Sequence, residues 1–121
     1  MTRILVIDDD ATIRAVVRAV LEQEGYDVVE AANGAEGLER YQATCPDLII
    51  TDLQMPVMDG FQLLEALQRV VPPPMVIAIS GAHHDLTQAQ TLTRHTFAKP
   101  LPLKQLLATV QALMTSRSQY C

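Results

Sequence analysis

Cysteine is scarce in these 121 residues: only Cys45 and Cys121 occur, and they share no metal-ligand or redox spacing. That excludes a cysteine-bound metal centre and a dithiol redox motif. Cys45, before Pro46, reads as a partly buried small hydrophobe and Cys121 as a chain-end thiol. Positive charge is also short, with nine Lys and Arg against fourteen Asp and Glu and a net charge of −5. The basic residues are scattered from Arg3 to Arg117 without forming a stripe, so this chain is not expected to bind nucleic acid directly. Long hydrophobic runs are missing as well. The first, Ile4 to Ile7, is too short for a signal peptide's apolar region or a membrane span, so no membrane is expected as a partner. A reducing cytoplasm is the compartment these features suggest. Polar low-complexity tracts are absent too, and 49% of residues are hydrophobic, the balance of a folded globule. A chain of this length fits one domain, over residues 1–121, and can bury about two-thirds of its unfolded surface.

What is present is an alternation. Short apolar runs occur at Ile4 to Ile7, Val28 to Val29 with Ala31, Leu48 to Ile50, Val76 to Ile79, and Thr96 to Ala98. The first, third and fourth are nearly continuous and β-branched, the pattern of parallel strands covered on both faces. Between them run segments with a 3.6-residue period. Ile13, Val16, Val17, Val20 and Leu21 share one helical face, with Asp10 as N-cap and Gly25 as the stop. Asn33-Gly34 marks a turn before a helix reaching about Thr44, and Gly60 precedes a helix that the Pro72-Pro73-Pro74 run is expected to end. Leu103, Leu106, Leu107, Val110, Leu113 and Met114 form the last amphipathic stripe, with Pro102 near its start. Five β-then-α units predict an α/β fold: one doubly wound, five-stranded parallel sheet flanked by five helices.

Such sheets bind ligands outside the carboxyl ends of their strands. The residues expected there are Asp8-Asp9-Asp10, Asp52, Ser80 and Lys99. Gathering Asp8, Asp9 and Asp52 is unfavourable, because two unit charges about 4 Å apart repel by roughly 4 kcal/mol at an effective dielectric of 20. Lys99 supplies one compensating charge. A hard divalent cation with oxygen ligands would offset the remainder, and Mg²⁺ keeps positions open for water and phosphate.

At these residues the sequence resembles a bacterial response-regulator receiver domain. Ile4-Leu5-Val6-Ile7-Asp8-Asp9-Asp10 is similar to the family's first strand and acidic pair, and Asp52-Leu53-Gln54-Met55-Pro56-Val57-Met58-Asp59-Gly60 to its phosphoacceptor segment. Ser80-Gly81 fits the hydroxyl position after the fourth strand, and Lys99-Pro100 the lysine before a cis proline. The resemblance implies the flavodoxin-like strand order 2-1-3-4-5 and a role in a two-component or phosphorelay system. It makes Asp52 the phosphoacceptor, Asp9 and Asp52 direct ligands of Mg²⁺, Asp8 a ligand through water, and Gln54 a ligand through its backbone carbonyl. Lys99 and Ser80 would contact phosphoryl oxygens. The donor would be a sensor histidine kinase or a histidine phosphotransfer protein, and the output a downstream protein target or effector domain. On this reading the chain is not an enzyme but a phosphoacceptor that assists its own phosphorylation and dephosphorylation.

Three features depart from the family pattern. Thr96 stands where an aromatic residue usually couples the hydroxyl switch to the fifth strand, and strand alternation turns the adjacent Phe97 to the opposite face. Lys99 follows Ser80 by only 19 positions, which predicts a shortened fourth helix. The family's Gly-Ala pair before the fifth strand is also missing. Several neighbours carry plainer readings: Asp10 as a helix cap, Asp59-Gly60 as a helix start, His83-His84 as exposed loop residues, Met55 and Met58 as loop packing. A metal-dependent aspartyl-phosphate hydrolase would need a second acid two residues after Asp52, where Gln54 stands. A phosphorylation-independent pseudo-receiver would be favoured by loss of a core site residue, and none is lost.

Overall fold

The alternation becomes ten elements in the computed structural model, which describes residues 2–55 and 57–116. In chain order they are β1 (Arg3–Ile7), α1 (Ala11–Gln23), β2 (Asp27–Ala31), α2 (Gly34–Thr44), β3 (Leu48–Asp52), α3 (Gly60–Gln68), β4 (Val76–Ser80), α4 (His83–Ala89), β5 (His95–Ala98) and α5 (Leu103–Ser116). All strand pairs are parallel, in the order β2-β1-β3-β4-β5. This is the expected doubly wound, flavodoxin-like sheet.

Alternation along each strand explains the continuous apolar runs, because successive side chains serve opposite faces. Leu5, Ile7, Ile49 and Ala78 pack with Leu63, Leu64 and Leu67 of α3 and with Leu86 of α4. Ile4, Val6, Ile50 and Ile77 pack on the other side with Val17 and Leu21 of α1 and Leu106 and Val110 of α5. Phe97 joins this second core, as its place in the alternation requires, while Met55 and Met58 pack against the first.

Capping residues fix the helix starts. Asp10 accepts from the Thr12 and Ile13 amides, and Asp59 forms a reciprocal capping box with Gln62. Three boundaries differ from expectation. Gly34 and Gly60 are already the first helical residues of α2 and α3, with Asn33 and Asp59 as their N-caps, rather than residues that precede them. Helix α3 stops at Gln68, short of the proline run. Its last turn tightens through the Arg69 and Val70 amides bonding to Ala66 and Leu67, and a residue before proline resists the helical region. Helix α4 has seven residues, the shortening that the Ser80 to Lys99 spacing predicted.

Cys45 is half-buried, as expected, and is also disulfide-bonded; the other cysteine, Cys121, lies outside the described residues. His83 and His84 open α4 rather than standing in a loop, and their side chains lie outside the described residues. No described helix is long and apolar enough to cross a membrane.

Val57, between β3 and α3, adopts φ +70° and is 82% exposed. A β-branched residue in the left-handed region costs about 1–2 kcal/mol, and a side chain this exposed gains little packing in return. Val57→Gly should relieve that strain, offset in part by greater freedom of the unfolded chain. The expected net gain is about 0.5–1 kcal/mol, or roughly 2–4 °C in thermal unfolding. An unchanged or lower melting temperature would contradict it.

Candidate functional site

Parallel register assembles the site. Ile7 pairs with Thr51, so Asp8 and Asp52 leave adjacent strands side by side. Asp52 pairs with Ile79, which sets Ser80 one step beyond, and Ser80 pairs with Ala98, which brings Lys99 to the same edge. Asp8 and Asp52 are 2% and 4% exposed, Asp9 is open to solvent, and carboxylate oxygens of all three lie within 4.8 Å of one another.

Each buried carboxylate divides its two oxygens between backbone and cation. Asp8 Oδ1 accepts the Asp10 amide at 2.9 Å, and Asp52 Oδ1 accepts the Leu53 amide at 2.9 Å and the Gln54 amide at 3.5 Å. The Lys99 ammonium lies 3.4 Å from Asp8 Oδ2 and 3.3 Å from Asp52 Oδ2. Burial pushes both carboxyls above their ordinary value. For Asp8 the charge of Asp52 adds to that push, while the Asp10 amide and Lys99 oppose it. For Asp52, Lys99 and the two backbone amides oppose it. Burial works against the charged form of Lys99, yet the carboxylates of Asp52 and Asp8 outweigh it and hold the ammonium above its usual range. Three acids facing one ammonium leave a surplus of negative charge, a setting that suits a hard cation.

The other expected site residues stand near this cluster but engage different partners. Ser80 is fully buried; its hydroxyl accepts the Ala82 amide at 3.0 Å and donates to Asp85 Oδ2 at 3.2 Å. The Gln54 carboxamide donates to the same Asp85 oxygen at 2.8 Å. Thr96 pairs with Ala78, so it sits on the face that Ala78 and Ser80 share, toward α4.

Two supporting residues escaped the sequence reading. Arg14 donates to the Asp8 backbone carbonyl at 2.6 Å and to Glu30 at 3.1 Å, clamping the acidic loop onto β2. Glu30 also receives Arg18 at 2.6 Å, the main reason its carboxyl titrates below the ordinary value. Asp85 is the second. Its place in the first turn of the helix after Ser80 was the available signal.

The sequence matches the family described as the response regulator receiver domain over residues 4–111. The chain belongs to that family. This receiver domain, a component of two-component signalling, is similar to the probable transcriptional regulator ycf27 of Porphyridium aerugineum, at 34% identity over 93% of the chain and 48% of that protein. Among solved structures it is similar to a receiver domain from Clostridium thermocellum, with 30% identity, 95% of each chain covered and a TM-score of 0.85. It is also similar to the response regulator TrrA of Thermotoga maritima in complex with Mg²⁺ and BeF, with 27% identity, 93% and 99% coverage and a TM-score of 0.86. The receiver spans about half the length of the first curated relatives it matches.

Proposed function

We propose that this receiver, read as one unit over residues 1–121, accepts a phosphoryl group on Asp52 in a Mg²⁺-dependent reaction and thereby changes its binding to a partner. One observation carries the reading: Asp52 is a buried carboxylate with one oxygen held by backbone amides and the other turned to Lys99 within the acidic cluster.

The chemistry follows from that division. With Oδ1 held by the Leu53 and Gln54 amides, a lone pair of Oδ2 attacks phosphorus, and the bond to the donor breaks with its electron pair leaving on the donor. Lys99 gives up part of its contact with Asp52 Oδ2 and neutralises a phosphoryl oxygen. Asp8, Asp9, Asp52 and the Gln54 backbone carbonyl would hold the cation, an oxygen-only donor set that suits Mg²⁺. When bound, Mg²⁺ offsets the surplus carboxylate charge and that of the equatorial oxygens. Gln54 stands where an aspartyl-phosphate hydrolase needs its acid, which favours a phosphoacceptor that assists its own modification over an enzyme with a separate substrate.

The donor is a phosphohistidine on a sensor kinase or phosphotransfer protein, and the setting is a reducing cytoplasm, where the Cys45 disulfide would open. Two relatives of about twice the matched length are described as a DNA-binding dual master transcriptional regulator and a transcriptional regulatory protein. That supports an effector domain, or an equivalent separate target, as the output partner.

Incubation with acetyl phosphate and Mg²⁺ should add one phosphoryl group to the intact protein, as read by mass spectrometry. Chelation with EDTA should abolish the addition, and Asp52→Ala should lose it. Labelling of Asp52→Ala at the wild-type level would overturn the assignment.

A further inference from the structure

Asp85 joins two loops that flank the phosphoacceptor. A single carboxylate oxygen, Oδ2, accepts the Ser80 hydroxyl at 3.2 Å and the Gln54 carboxamide at 2.8 Å. Gln54 lies two residues past Asp52, while Asp85 lies in the first turn of α4, where its amide bonds to the Ala82 carbonyl. The N-cap of this short helix, Ala82, makes no side-chain capping bond, and the Asp85 carboxylate ties its first turn to the β3 end of the sheet.

A hydroxyl carries one proton. The Ser80 proton is directed to Asp85, and the Ser80 oxygen already accepts the Ala82 amide. Ser80 therefore cannot donate to a phosphoryl oxygen on Asp52 until it leaves Asp85.

We propose that Asp85 is a positioning residue that latches the resting state: it holds the Ser80 hydroxyl and the Gln54 carboxamide, and a phosphoryl group on Asp52 must win the Ser80 proton from it. The proposal rests on Asp52 being the phosphoacceptor. Occupancy of Asp52 then frees the first turn of α4, so the conformational response centres on residues 81–85. Because the two outcomes compete for one proton, breaking the latch in advance raises affinity for the phosphorylated geometry.

The test is the dissociation constant for beryllofluoride with Mg²⁺, an acyl-phosphate mimic, measured by NMR titration on the full chain. Asp85→Ala should bind about three- to tenfold more tightly than wild type, the range for losing one competing hydrogen bond. In a Ser80→Ala background the same change should alter affinity by less than about twofold, because no Ser80 proton is left to contest. Equal affinity in wild type and Asp85→Ala overturns the latch. So does a gain that persists undiminished in Ser80→Ala, since removing a nearby charge would then explain it. Asp85→Asn, which preserves shape, should give an intermediate gain and carries the test if the alanine variant does not fold; no gain there also overturns the latch. Asp52→Ala separates the two readings: wild-type affinity in that variant would defeat the acceptor assignment itself, whatever Asp85 does.

Discussion

With divalent cations chelated at neutral pH, Asp52→Asn should melt about 6–12 °C above the wild type. The variant keeps an oxygen to accept the Leu53 amide while removing one of three clustered carboxylates that face a single ammonium. A carboxylate pair about 4 Å apart repels by roughly 4 kcal/mol at an effective dielectric of 20, and the exposed Asp9 and loss of the Lys99 contact reduce the net to about 1.5–3 kcal/mol. At about 4 °C per kcal/mol for a domain of this size, that gives the stated range. The same argument fixes a pH dependence. The Asp52 carboxyl is raised in the folded state, mainly by burial, so the native protein binds this proton more tightly than the unfolded chain. The penalty is complete above the raised folded value and disappears as pH falls through it toward the ordinary carboxylate value, about 4. The gap between variant and wild type should therefore narrow on acidification. Millimolar Mg²⁺ should raise the wild-type melting temperature through preferential binding to the native state, with a smaller rise in Asp52→Asn. A variant that melts at or below wild type without cation would show that the cluster is not under electrostatic strain.

Gly60→Ala should have the opposite sign and a comparable size. A methyl group at Gly60 would come within 2.4 Å of the Asp52 backbone oxygen and 2.6 Å of the Leu53 α-carbon. Both are backbone atoms, and the Gly60 amide is itself bonded to the Leu53 carbonyl at 3.0 Å, so neither side can yield by turning a side chain. Overpacking of this kind costs about 1–3 kcal/mol, more than the few tenths to 1 kcal/mol that alanine returns in helix propensity. The expected loss is about 2 kcal/mol, or roughly 8 °C, measured by thermal unfolding. Because the displaced atoms carry the phosphoacceptor, phosphorylation by acetyl phosphate should also slow by on the order of tenfold. A variant matching wild type in both measurements would contradict the close approach.

The sheet was legible because burial on both faces leaves a strand with no polar side, and Leu48 to Ile50 or Val76 to Ile79 can be little else. Asp10 was legible as a cap and Asp59-Gly60 as a helix start because the bonds of both aspartates run to amides two or three residues on. The gathering of Asp8, Asp9, Asp52 and Lys99 followed from strand ends sharing one edge. The partners of Ser80 were not legible. Its hydroxyl bonds to Asp85 and not to the cluster, and the Gln54 carboxamide reaches the same oxygen from 31 positions away. Arg14 escaped for a related reason: its target at the site is a backbone carbonyl, which no residue type advertises. Bonds that cross between loops depend on where each loop turns, whereas caps and strand faces depend on nearest neighbours.

The central claim is that Asp52 accepts the phosphoryl group, and reduction of the phosphorylated protein with borohydride tests it most directly. An acyl phosphate on an aspartate side chain is reduced to homoserine, while a free carboxylate is not. Peptide sequencing by mass spectrometry after treatment with acetyl phosphate, Mg²⁺ and borohydride should find homoserine at position 52 alone. Homoserine at position 8 or 9 with an intact aspartate at 52, or phosphate retained on a serine or threonine, would contradict the account.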